Sequence, residues 1–345
     1  MEKPKVEFNE EYYQKIIKEY GYDPFEFEPI NFGLKTANTD YLKKKFLCHH
    51  DGRTFSQYLE IGKRSIITTG VGLSGSPHMG TIAQIMNTIN LQRNNLYTQF
   101  VLGDLDSYNA RNQPLDVVKE RAKRYRDFII KLGYDTGRGI LRTQMDHPEI
   151  LLTAYIISNC LRDSDFKNTE EDLSYLYKEK GIYPGIEFPV KMSILLMLAD
   201  FIHLGMKEGY ENVLVMLGID EHKYVRLSKE IVIRMKIPMK IGGLYSRMIR
   251  GFNGYPKMSK SIPESNISVD MPFEQIEDKV MNHEGDFIDP MDSVVYQLMT
   301  LVSYYNSQEL DELYQICKKG GNEWKNAKRM YLEEQLFKII EKWSK

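Results

Sequence analysis

Two lysines and two serines surround one methionine at Lys257-Met258-Ser259-Lys260-Ser261, in a run (GYPKMSKSIPESNIS, 254–268) that also holds Gly254, Pro256 and Pro263. A loop rich in turn formers has little need of charge for solubility. Two ammonium groups and two hydroxyls on one short loop suit an anion, and a polyphosphate in particular, because phosphoryl chemistry depends on positioning and charge neutralisation. The same residues would also make a solvated basic loop. A second stretch, TTGVGLSGSPHMGT (68–81), offers Gly70, Gly72 and Gly75 for close backbone approach to a ligand. Ser76 and Pro77 open a helix there, and His78 is expected in its first turn, where free N–H groups favour phosphate. Alone, this is equally a tight strand-to-helix turn. A third stretch, GIDEHK (218–223), sets Asp220, Glu221 and His222 at another such junction, where the two acids also read as helix-capping residues.

The elements around these stretches alternate. SIITTGVG, LYTQFVLGDLDSY, GILRTQ, VLVMLGID and KIGGLYSRMI are short apolar runs with strand character, separated by helical segments. In one of those segments, Leu227, Ile231 and Met235 recur every four residues. This rhythm predicts an α/β fold: a Rossmann-like, doubly wound parallel sheet whose ligands bind beyond the carboxyl ends of its strands. Residues 1–62 read as an N-terminal extension and 63–268 as the catalytic body. Residues 269–345 form a helical C-terminal domain, in which Leu332, Leu336, Ile339, Ile340 and Trp343 keep a helical spacing.

The 345 residues, 42% of them apolar, are enough for one large domain with appendages. No run of 18 apolar residues occurs, and the charged start MEKPKVEFNEEYYQK lacks an apolar signal core, so a cytoplasmic protein is expected, without membrane contact. Cys48, Cys160 and Cys317 are far apart, and no CxxC pair marks a zinc site, so no protein-held metal is expected. A net charge of −2 confines any nucleic-acid contact to local patches. KKGGNEWKNAKR (318–329) is one candidate, with five basic residues and Trp324 to stack on a base; it also reads as a solvated helix start.

Taken together, His78-Met79-Gly80-Thr81 after the first strand and Lys257–Ser261 after the last resemble the two signatures of class I aminoacyl-tRNA synthetases. FLCHHDGRTFSQYLEIGKRSIITTGVG, EFPVKMSILLMLADFI, GIDEHKYVRLSKEIV and KMSKSIPESNISV resemble segments of the tryptophanyl enzymes, with the tyrosyl enzymes next. The resemblance implies that ATP binds between the two signature loops. It implies His78, Lys257 and Lys260 as catalytic, and Gly70, Gly72, His78, Gly80, Thr81, Gly218, Asp220, Lys257, Met258, Ser259, Lys260 and Ser261 as ATP-binding. Thr68, Val101, Asp104, Met197, Asp200 and Glu221 would bind the amino acid, with Met197 and Asp200 resembling a pair whose carboxylate accepts an indole N–H. It further implies Mg²⁺ carried with ATP, tRNA and tryptophan as partners, and a homodimer. Departures exist: Thr81 stands where most of the class has His or Asn, and Glu221 where the tryptophanyl family has glutamine. Thr68 replaces a tyrosine that touches the indole, and Val101 stands near a glutamine of that pocket. Two other readings follow: a related enzyme adenylating another amino acid, possibly without tRNA, and a non-catalytic binding protein. The intact Lys257 and Lys260 argue against the last.

Overall fold

The computed structural model describes residues 8–170, 174–181 and 185–344. Seven strands form one sheet: β1 (Asp23–Pro24), β2 (Phe46–His50), β3 (Ser65–Gly72), β4 (Thr98–Gly103), β5 (Gly139–Thr143), β6 (Asn212–Gly218) and β7 (Lys240–Ser246). Their order is β1-β2-β7-β6-β3-β4-β5, with β7 to β5 mutually parallel and β1 and β2 antiparallel at one edge. The strand order reverses between β3 and β6, and a crevice opens beyond the carboxyl ends of strands at such a switch point. The expected α/β, doubly wound sheet is therefore present, and the N-terminal segment enters it directly through β2, which pairs with β7.

Helices connect the strands. The N-terminal segment holds α1 (Glu10–Tyr20), α2 (Thr39–Lys45) and α3 (Gly52–Glu60); α1 stops where Gly21 takes a left-handed φ of 66°, as its sequence predicts. After β3 comes α4 (Met79–Arg93), and after β4 come α5 (Asp104–Ala110) and α6 (Leu115–Leu132). The β5-to-β6 crossover carries α7 (Glu149–Ser158), α8 (Asp163–Lys167), α9 (Ser174–Glu179) and α10 (Phe188–Met206); α11 (His222–Arg234) joins β6 to β7. The helical tail is α12 (Phe273–Asn282), α13 (Val294–Leu301), α14 (Ser307–Lys319), α15 (Gly321–Tyr331) and α16 (Phe337–Ser344).

Two large apolar cores flank the sheet. On one face α4 and α6 share a core with the tail helices, so Tyr125 and Phe128 meet Trp343 edge-on. On the other face α7, α10 and α11 pack with α1 over Val213, Val215 and Leu217. By length and composition α10 could cross a membrane, but most of its residues are buried inside this second core. The buried Lys45 ammonium of α2 donates to the Thr300 carbonyl at the end of α13, which ties the N-terminal segment to the tail.

Candidate active site

A cavity of about 690 Å³ lies at the carboxyl edge of the sheet, over the switch point. Its walls come from the ends of β3, β4 and β6, the start of α4, α10, and the 257–261 loop.

His78 is the N-cap of α4 rather than a first-turn residue: its φ and ψ of −102° and 173° are extended, and its Nδ1 accepts the Thr81 N–H at 3.1 Å. That bond places the ring proton on Nε2, leaving a neutral donor for the cavity. Burial, then the charges of Lys260 and Lys257, push the imidazole down to about 3, so it stays neutral near pH 7. Gly80 is required at its position, because a Cβ there would stand 2.8 Å from the imidazole Cε1.

The 257–261 loop is pinned from within. Met258 is buried in the core, the Ser259 N–H donates to Ser265 Oγ at 3.0 Å, and Asn266 Nδ2 donates to the Ser259 carbonyl at 2.6 Å. The segment after it then pairs with the first signature: His78 and Ser268 form an antiparallel bridge, the Met79 N–H donates to the Ile267 carbonyl at 3.1 Å, and the Val269 N–H to the Pro77 carbonyl at 3.0 Å. Sequence stretches 190 residues apart, as for His78 and Ser268, are thus stitched together by backbone. Lys260 Nζ reaches across to the Gly72 carbonyl at 3.1 Å. Burial, with Arg121 and Arg111 nearby, pushes this ammonium down to about 8. Lys257 Nζ meets Asp220 Oδ2 at 2.6 Å, so the third motif is joined to the loop by an ion pair; Asp220 does not cap α11.

All the sequence-nominated nucleotide residues, Gly70, Gly72, His78, Gly80, Thr81, Gly218, Asp220, Lys257, Met258, Ser259, Lys260 and Ser261, line this one cavity. The Ser259 hydroxyl accepts the Ser261 N–H at 3.3 Å and lies 3.4 Å from the Tyr177 hydroxyl. Of the nominated amino-acid residues, Val101, Met197, Asp200 and Glu221 line the cavity, whereas Thr68 and Asp104 do not. Thr68 sits directly opposite Gln99 in the β3–β4 ladder, and Gln99 Nε2 covers its hydroxyl at 2.8 Å. Asp104 faces the backbone: its Oδ1 accepts the N–H groups of Leu105, Gln144 and Met145 at 2.9, 3.0 and 3.2 Å, clipping the loop after β5 to the start of α5.

Asp200 is 2% exposed. Its Oδ2 accepts from Gln144 Nε2 at 2.8 Å, while its Oδ1 has no hydrogen-bond partner among the described residues. Burial pushes this carboxyl up to about 7, against the lowering effects of Gln144 and Arg142. Sequence reading missed Gln144, Asp106 and Arg111, which also line the cavity. Asp106 is pushed up by burial and drawn back by Ser193, Arg111 and Lys260. The signal available was position: Gln144 immediately follows β5 and Asp106 lies in the first turn of α5, three residues past β4, at the edge where ligands bind.

Among the described residues, no group of three or more His, Cys, Asp or Glu is placed to hold a metal. The C-terminal basic run does not present its tryptophan. Trp324 is 6% exposed and donates through Nε1 to Glu284 at 3.1 Å, and Lys328 pairs with the same carboxylate at 3.2 Å. Trp324 is therefore a packing residue, because the amphipathic α15 turns it inward.

The family model for class I tRNA synthetases (W and Y) matches residues 60–338. The chain belongs to this family. Among similar curated proteins, the tryptophan–tRNA ligase of Methanocaldococcus jannaschii is 24% identical over 93% of this class I chain and 88% of its own. That of Methanopyrus kandleri is 25% identical over 95% and 89%. In structure, the synthetase fold seen here matches the tryptophanyl-tRNA synthetase of Aeropyrum pernix K1 with a TM-score of 0.79, at 20% identity, covering 97% of this chain and 93% of that one. The tyrosyl-tRNA synthetase of Archaeoglobus fulgidus matches with a TM-score of 0.68, at 17% identity, covering 85% and 93%.

Proposed function

We propose that this class I chain is a tryptophan–tRNA ligase, activating tryptophan with ATP and passing it to tRNA. The observation that carries the reading is the meeting of His78, Lys257 and Lys260 around one cavity at a helix N-terminus. The residues suit ATP as a substrate. The neutral Nε2–H of His78 and the first N–H groups of α4 are phosphate donors. Gly70, Gly72 and Gly218 leave backbone open to a nucleotide, and the two lysines carry the charge a triphosphate needs. In the first step the tryptophan carboxylate attacks the α-phosphorus, the bond to the bridging oxygen breaks, and pyrophosphate leaves. Lys260 and Lys257 balance the charge that gathers there, and Asp220 holds Lys257 in place. A ribose hydroxyl of the tRNA end then attacks the acyl carbon, losing its proton, and AMP departs. Orientation and charge do the work, without a side-chain nucleophile. Mg²⁺ would enter with the triphosphate and neutralise part of its charge.

In this reading residues 63–268 perform the chemistry, 269–345 are the helical C-terminal domain on the tRNA side, packed on the catalytic body through a shared core, and 1–62 are the N-terminal extension, whose α1 packs against the residues after β7. The enzyme works in the cytoplasm as a homodimer: the exposed Leu151, Leu152 and Tyr155 of α7 and Phe188 and Met192 of α10, on adjoining helices, give two copies an apolar surface to bury. A second reading, an adenylating relative with another amino acid, is favoured by Glu221, which lines the cavity where the family has glutamine. Amino-acid-dependent exchange of pyrophosphate into ATP, screened over the twenty amino acids, tests both. Exchange with tryptophan followed by charging of bulk tRNA is the expected result. Exchange only with another amino acid supports the second reading, and no exchange with any amino acid overturns both.

A further inference from the structure

We propose that Gln144 is a positioning residue for the amino-acid substrate: by holding Oδ2 of Asp200, it leaves Oδ1 as a fixed acceptor for a side-chain N–H such as that of indole. This inference rests on the reading that the Asp200 end of the cavity takes the substrate side chain.

Gln144 is 2% exposed and is anchored three ways. Its backbone N–H donates to Asp104 Oδ1 at 3.0 Å, its Oε1 accepts the Asp106 N–H at 3.1 Å, and its Nε2 donates to Asp200 Oδ2 at 2.8 Å. Only one orientation of the amide satisfies both side-chain bonds, since a flipped amide would set a donor against the Asp106 N–H and an acceptor against a carboxylate. The Asp200 carboxylate is thereby fixed with one oxygen occupied and the other buried without a hydrogen-bond partner among the described residues, in a residue that lines the cavity. A buried oxygen without a donor is costly in the empty site and is completed by a ligand that brings one. Gln144 has a second effect: its donated bond favours the ionised, accepting form of Asp200. The other groups facing that carboxyl are Arg142 on β5, which also favours ionisation, and Asp104 and Asp106 on α5, which oppose it.

The test is pyrophosphate exchange with tryptophan titrated between about pH 6 and 9, on Gln144→Leu and Gln144→Glu, with Asp200→Asn beside them. Gln144→Glu keeps the acceptor for Asp106 and the side-chain shape, so it serves if Gln144→Leu melts early. Both Gln144 variants should raise the KM for tryptophan about tenfold or more at neutral pH. Both should move the pH midpoint of that KM upward, with kcat and the KM for ATP close to the parent. A purely structural role would lower thermal stability while leaving the midpoint where it was, and that outcome overturns the inference. Asp200→Asn with an unchanged KM overturns instead the reading beneath it. If Asp200→Asn raises KM while neither Gln144 variant does, only the role of Gln144 falls.

Discussion

The two ends of the cavity are built on opposite principles. The nucleotide end is made of cations on a loop and donors at a helix start: His78, Lys257 and Lys260 come from two short contiguous motifs tied by a backbone bridge, and Lys257 pairs with Asp220 of a third. The amino-acid end is made of single residues from separate elements, with a buried carboxylate at its centre. Burial acts on both but in opposite senses, pushing Lys260 down to about 8 and Asp200 up to about 7. One end needs its proton and the other must lose it. The difference shows where this fold keeps charge balance for phosphate and where it keeps selectivity.

The largest effect expected is at the nucleotide end. Lys260→Ala should lower kcat for exchange by about 10²–10³-fold with little change in the KM for tryptophan, as measured by steady-state pyrophosphate exchange. Equal effects on both constants would erase the division between the ends. Next, the opposite titrations predict a bell-shaped kcat/KM for tryptophan. Its acid limb, near pH 7, follows protonation of Asp200, and its alkaline limb, near pH 8, follows loss of the Lys260 proton. Asp200→Asn should remove the acid limb alone. Third, Lys257→Ala and Asp220→Ala should each raise the KM for ATP, and the double variant should cost less than their sum by about tenfold, because the two form one ion pair. The smallest effect concerns stability. A carboxyl with a raised folded value destabilises the fold as pH climbs from its unfolded value through about 7. Asp200→Asn should therefore melt a few degrees above the parent at pH 8, by calorimetry, with the gap closing near pH 4.

The same division governs what the sequence made legible. Strands β3 to β7 stand out because each is a short apolar, β-branched run closed by turn residues. The strand β1 is two residues, Asp23 and Pro24, and exists only because Cys48 and His49 lie beside it. His78, Lys257 and Lys260 carry their meaning in neighbouring residues, so local pattern suffices. Gln144 carries none locally; its role comes from contacts with Asp106 and Asp200, which only the folded chain supplies. Thr68 and Asp104 lie off the cavity wall for the same reason, since each meets partners on other elements: Gln99 donates to the Thr68 hydroxyl, and the backbone of residues 144 and 145 donates to Asp104 Oδ1. Trp324 reads as a surface aromatic because the basic residues around it are nearest in sequence, whereas the helix period sets it on the inner face.

The antiparallel edge of the sheet has a consequence for how the molecule is born. Apart from the two-residue β1, strand β2 finds its hydrogen-bonding neighbour only in β7, about two hundred residues later in the chain. On a ribosome its edge must wait, unpaired, until residue 246 has emerged, and pairings of such long sequence separation form slowly. The segment that carries β2 therefore spends much of synthesis with an unpaired edge, which a chaperone would shield until β7 arrives.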